Sequence, residues 1–182
     1  MAPPKEVLLE AVQHPDPAVR RVGFDLDHPY VENVWVGVIG PTSTLLLRRL
    51  PQLWREASPA RIEVAELAAS LGVGTRVEGW NNQLWRTFRR LAMFRLATPV
   101  EDGRVGVLVQ LPPVTNRQLA RLPEWTARTH ERLLGQHLER LALGSGVTPP
   151  TSPAAETAQA ITARLDRMQH SPAPSSLSGP SR

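Results

Sequence analysis

Residues 64–111 read VAELAASLGVG (64–74), TRVEGW (75–80), NNQLWRTFRRLAMFRLA (81–97) and TPVEDGRVGVLVQL (98–111). In the first piece Val64, Leu67, Ala68 and Leu71 fall at i, i+3, i+4 and i+7, which predicts a short amphipathic helix closed by Gly72. Asn81 or Asn82 is placed to cap a second helix over 81–93. With Gln83 set at 0° and 100° added per residue, Leu84, Trp85, Phe88, Leu91 and Ala92 fall between about 80° and 200°. Gln83, Arg86, Thr87 and Arg90 fall between about 300° and 40°, with Arg89 on one flank. One side of this helix is built to dock and the other to stay in water. Phe94-Arg95-Leu96 and Val105–Val109 read as strands around an Asp102-Gly103 turn, a β-hairpin signal. Helix, connection, Arg-bearing helix and hairpin follow one another in that order.

Outward from this stretch, Ser43 to about Ala57 predicts a helix with Leu46, Leu47, Leu50, Leu53 and Trp54 inward, and with Pro51 expected to kink it. Thr42 or Ser43 is expected to cap it. Tyr30, Val31, Val34, Trp35 and Val38 form a helical stripe opened by Pro29 and closed at Gly40-Pro41. Residues 5–13 carry Val7, Leu8, Ala11 and Val12 on one side and predict a short helix, while 18–27 are weakly patterned. After the hairpin, Thr115-Asn116 can cap a short helix. Pro123 can start a longer one, with Ala127, Leu134, Leu138 and Leu141 on one side and Arg128, Glu131, Arg132, Glu139 and Arg140 solvated. Such a helix must pack on its own domain or on a second subunit. From Gly144 the chain is rich in Pro, Ser, Ala and Thr and predicts a disordered tail, with a transient helix over 154–169. The expected division is an N-terminal segment 1–27, a domain 28–142 and the tail 143–182.

The chain has 182 residues, 41% of them hydrophobic, so a domain with a real core is expected. It has no Cys, which removes disulfides and thiolate metal sites. No apolar run approaches the ~18 residues of a membrane span. No charged and apolar leader opens the sequence, so a cytoplasmic protein is the expectation. Residues 1–40 hold three basic and six acidic residues, a net −3, whereas 41–142 hold 15 Arg and nine acids, a net +6. Basic excess on one segment is the electrostatic footprint of a nucleic-acid binder. It also has a compositional side, since 20 Arg against one Lys points to a GC-rich coding bias.

The run ELAASLGVG, NNQLWRTFRRLAMFRLA, EDGRVGVLVQLPP resembles the winged helix-turn-helix superfamily, over 43–111 and on toward 142. HPYVENVWVGVIGPTSTLLLRRL (28–50) is similar to uncharacterised actinobacterial winged-helix proteins, which implies a bacterial setting without an assigned activity. The implied fold is mainly α with a small β-hairpin, a winged-helix core between N-terminal and C-terminal helices.

On this reading the chain is a DNA-binding protein, a transcriptional regulator or a replication or mobile-element accessory factor. Arg and Gln can each meet a base edge bidentately in the major groove. Asn82, Gln83, Arg86, Thr87, Arg89 and Arg90 are therefore the expected DNA-contacting residues, with Arg104 reaching a phosphate from the wing and Glu101 and Asp102 opposing it. The competing expectation is a protein-interaction module without specific DNA binding, because a fold does not fix a function. Expected partners are double-stranded DNA, a second copy through helix 124–142 and a protein that orders the tail; no membrane is expected. No cofactor or metal is implied. The five histidines show no helical i, i+4 ligand pair, Gly72-Val73-Gly74 lacks the Lys-Ser/Thr of a phosphate loop, and Ser43 and Ser70 have no evident base. An enzyme is not expected.

Overall fold

The computed structural model describes residues 3–74, 79–80 and 82–144. Among them the protein is mainly helical with two small sheets. The elements are β1 (Glu6–Val12), α1 (Pro17–Val22), β2 (Phe24–Asp25), a wide π-type turn (Val31–Trp35) running into α2 (Val36–Ile39), α3 (Pro41–Glu56), β3 (Ala60–Glu63), α4 (Val64–Ser70), α5 (Gln83–Met93), β4 (Arg104–Leu108), β5 (Gln110–Leu111), α6 (Asn116–Leu119) and α7 (Glu124–Gly144). The expected tail, its transient helix and Asn81 lie outside the described residues.

The N-terminal stretch departs most from expectation. Residues 6–12 form a strand, not a helix, and it is the central strand of the sheet β3-β1-β4. It runs antiparallel to β3, with Val7 opposite Ile62, and parallel to β4, with Leu9 opposite Val105. The same run of apolar residues satisfies both periods over so short a length. Two neighbouring strands decide it, because they pair both edges of its backbone and bury Val7 and Leu9 completely. Of the N-terminal segment, β1 is therefore built into a sheet with two strands of the 28–142 region, and β2 pairs with β5. Residues 17–22, weakly patterned in the sequence, form α1, capped by Asp16, whose carboxylate accepts from the Ala18 amide at 2.8 Å.

Gly40, at φ +81°, closes α2 and is also the N-cap of α3, in place of the expected Thr42 or Ser43. α3 runs unbroken through Pro51. Its inward Leu46, Leu47 and Leu50 join Leu67, Leu84, Trp85, Phe88 and Leu91 in one core. Gly72, at φ +68°, ends α4 as expected; its amide donates to Ala69 and that of Val73 to Ala68. Residues 94–96, expected as a strand, close α5 in the same way. The Leu96 amide reaches the Leu91 carbonyl and Arg95 takes φ +58°. The hairpin is reduced to single bridges at Ala97–Val107 and Glu101–Arg104, around Asp102 (φ +47°) and Gly103 (φ +76°). Its second strand spends most of its pairing on β1.

α7 packs on its own chain. Thr126, Thr129, His130, Leu133 and Leu134 are buried, so the seam is rotated from the expected one, and Trp125 is exposed. The Tyr30 hydroxyl accepts from the Val114 amide at 3.0 Å and lies 2.6 Å from His130 Nδ1. The hydroxyl thus joins the Val114 amide and the His130 ring in one buried polar cluster. Of the apolar face expected there, Leu134 is buried and Ala127, Leu138 and Leu141 are half-buried.

Candidate nucleic-acid interface

α5 is the element around which charge gathers, and its position is set at both ends and along one side. Asn82 Oδ1 accepts from the Trp85 amide at 3.0 Å, while its Nδ2 donates to the Gly79 carbonyl at 3.0 Å. This cap satisfies one of the helix's orphan amides and ties the helix start to the preceding connection. Leu84, Trp85, Phe88 and Leu91 are at most 1% exposed. Their burial leaves the helix no rotational choice, so the opposite face is presented in a fixed direction. Trp85 Nε1 lies in this core without a hydrogen-bond partner.

The presented face carries Gln83, Arg86, Arg89 and Arg90, all exposed. It forms one wall of an open cleft of about 620 Å³. The other wall is the α2–α3 junction, Ile39 to Ser43. Among the described residues three guanidinium groups line the cleft and no carboxylate does. The Arg90 Nη2 donates to the Val38 carbonyl at 2.9 Å, across the cleft at the end of α2, and its guanidinium lies 5.9 Å from the Phe94 ring. The Arg89 Nη2 donates to the Trp80 carbonyl at 3.1 Å. Neither bond neutralises charge, and among the described residues none of the three arginines forms an ion pair. The Arg86 side chain makes no hydrogen bond with the described residues either, which leaves its five donors to solvent.

Two expected site residues stand apart. Thr87 is 3% exposed, and its hydroxyl donates back to the Gln83 carbonyl at 2.9 Å. It lies about 40° from Gln83 on the helical wheel, toward the docking side, and only a small part of it lines the cleft. Its hydroxyl is spent on the helix backbone. Arg104 is held 2.9 Å from Glu10 on β1 and does not line the α5 cleft. It borders a different depression, where Lys5, Arg61 and Arg104 alternate with Glu6, Glu63 and Asp102. The basic charge there is balanced locally.

The sequence did not point to the N-terminal turn of α3 as the opposite wall. Its only local signal is Gly40-Pro41 ahead of Thr42 and Ser43, which announces a helix start and says nothing about what faces it. The histidines lie elsewhere, around α7. Burial lowers the pKa of His28 and His137, helped by their mutual repulsion for His28 and by Arg140 for both. Burial also lowers that of His130, against the opposing charge of Glu131. Among the described residues no cluster of three or more potential metal ligands occurs, and no helix is long and apolar enough to cross a membrane. Comparisons with protein-family models, curated proteins and solved structures find no match.

Proposed function

We propose that this protein binds double-stranded DNA through the exposed face of α5, as a winged-helix regulator or an accessory factor of replication or of a mobile element. The observation that carries the reading is the set Gln83, Arg86, Arg89 and Arg90, presented by a helix with a fixed core side and, among the described residues, no carboxylate on its cleft. Uncompensated guanidinium groups on a rigid helix suit a polyanion, and a B-DNA major groove admits a helix. The succession α3, β3, α4, α5 and a tight hairpin supports the winged-helix assignment; the insertion of β1 between β3 and β4 is a departure from that plan. Arg89 and Arg90 are oriented by backbone carbonyls, while Gln83 and Arg86 are the groups available for base edges. Asn82 acts as the cap that aims them.

The test is duplex binding by fluorescence anisotropy across a salt series. Affinity is expected to fall steeply with salt as counterions are released. Arg86→Ala with Arg90→Ala is expected to weaken binding on the order of a hundredfold, at ~1–3 kcal/mol for each lost contact, and to flatten the salt slope. Unchanged binding by that double variant would falsify the assigned face. Absence of DNA binding at low salt, together with a stable protein partner, would favour the interaction-module reading.

A further inference from the structure

We propose that the cleft between the N-terminal turn of α3 and the polar face of α5 holds one phosphate group. The phosphate is either a phosphodiester of the duplex, which rests on the function proposed above, or the phosphoryl group of a small ligand. α3 is a 16-residue helix whose N-cap is a glycine with no side chain to cap it. Pro41 has no amide hydrogen, and the Thr44 amide is spent on the Gly40 carbonyl at 3.1 Å. The Thr42 and Ser43 amides are left without a partner among the described residues, at the positive end of the helix dipole.

A helix end by itself would mean little, because water can satisfy it. The second observation is Ser43. It is 2% exposed and lines the cleft, and its hydroxyl makes no hydrogen bond with any described residue. That hydroxyl is not among the sealed, unsatisfied atoms of the core, so the small surface it keeps opens into the cleft. A buried hydroxyl without a protein partner is costly unless something in the cleft meets it. The third element is Arg86 on the opposite wall, whose side chain has no ion pair or hydrogen bond to described residues. Two amides and a hydroxyl face a guanidinium across a space that no carboxylate lines among the described residues. Phosphate oxygens match both walls, because they accept several hydrogen bonds and carry the charge that Arg86 lacks. Gly40 leaves the rim open, since a Cβ there would meet nothing within 4 Å.

The experiment is 1H–15N NMR of the full chain, titrated with inorganic phosphate at constant ionic strength and, separately, with a duplex. The Thr42 and Ser43 amide signals are expected to shift saturably with phosphate. Ser43→Ala and Arg86→Gln are each expected to weaken that binding about tenfold, as loss of a charge-assisted or buried hydrogen bond would. The rest of the spectrum reports whether each variant is folded. If duplex also moves Thr42 and Ser43, and phosphate competes with it, the phosphate is a DNA phosphodiester. If phosphate binds and duplex does not, the site stands as one for a phosphorylated small ligand and the DNA-binding proposal fails. If duplex moves Gln83 and Arg86 while Thr42 and Ser43 respond to neither probe, the phosphate site is overturned and the DNA proposal survives. If nothing moves with either probe, both are overturned.

Discussion

The two arginine-bearing surfaces, the α5 cleft and the β1–β3–β4 end of the sheet, have similar composition and opposite character. Arg86, Arg89 and Arg90 face a cleft that no carboxylate lines among the described residues. Arg61 and Arg104 sit 3.1 and 2.9 Å from Glu6 and Glu10. Both carboxylates come from β1, so the strand inserted into the sheet also supplies the charge that pairs an arginine of β3 and one of β4. Whether a basic residue advertises itself to a polyanion depends on the carboxylates the fold brings near it, not on how many arginines the segment holds. On the proposed function, the difference places the polyanion at α5 and leaves Arg104 paired within the fold.

The sharpest way to break this comparison is to loosen α5 without touching its charge. Phe88→Ala removes a fully buried ring behind the Arg face and is expected to cost ~3–5 kcal/mol of stability, read from denaturant unfolding. If stability held, the rigid presentation of the face would lose its basis.

Acid separates the two halves of the molecule next. Arginine does not titrate in the accessible range, but burial holds His130 neutral below its ordinary pKa of 6.5. Above 6.5 the ring is uncharged in both folded and unfolded chains, and its contribution to stability is complete. Below 6.5 the unfolded chain takes up the proton first, so stability falls as the pH drops toward the lower folded value. His14, His28 and His137 shift in the same direction. The unfolding midpoint is therefore expected to be lower at pH 5.5 than at pH 7.5. Substituting His130 with Gln should shrink that difference, and an equal difference in the variant would count against this seam as its source.

A smaller effect tests the aim of α5. Asn82→Ala deletes the cap and is expected to cost ~1 kcal/mol, with fraying of the helix start visible as faster amide exchange at Trp85. The smallest effect belongs to the hairpin. Arg104 is largely exposed, and Arg104→Ala should cost less than about 1 kcal/mol. Because Glu10 already occupies it, duplex affinity should change by less than about twofold, within the small worth of an exposed pair. A loss comparable to that of the α5 double variant would erase the distinction between the two surfaces.

Much of α5 was legible beforehand for local reasons. Asn82 as cap, the inward Leu84, Trp85, Phe88 and Leu91, and the exposed Gln83, Arg86 and Arg90 follow from interactions within a few residues. The same holds for Gly72, the Asp102-Gly103 turn and the Thr115 cap, whose reciprocal bonds with Gln118 form a complete capping box. The burial of Thr87 was not legible because it lies at the boundary of the two faces, where neighbours outside the helix decide which side is covered. The ion pair of Arg104 was not legible because its partner Glu10 is 94 residues away in sequence.

By itself, then, the sequence determined the helix with two faces, its cap, the turn chemistry and the excess of positive charge, because backbone capping and 3.6-residue periodicity act over one or two turns. Only the tertiary structure decided that residues 6–12 are a strand, since a segment of seven residues acquires its identity from the edges it pairs with. It also decided that the basic surface lies at α5 and not at the hairpin, because charge is cancelled or kept by neighbours that only the fold brings together. The Arg face around which the chain is organised thus faces the open end of α3, a pairing that no local pattern records.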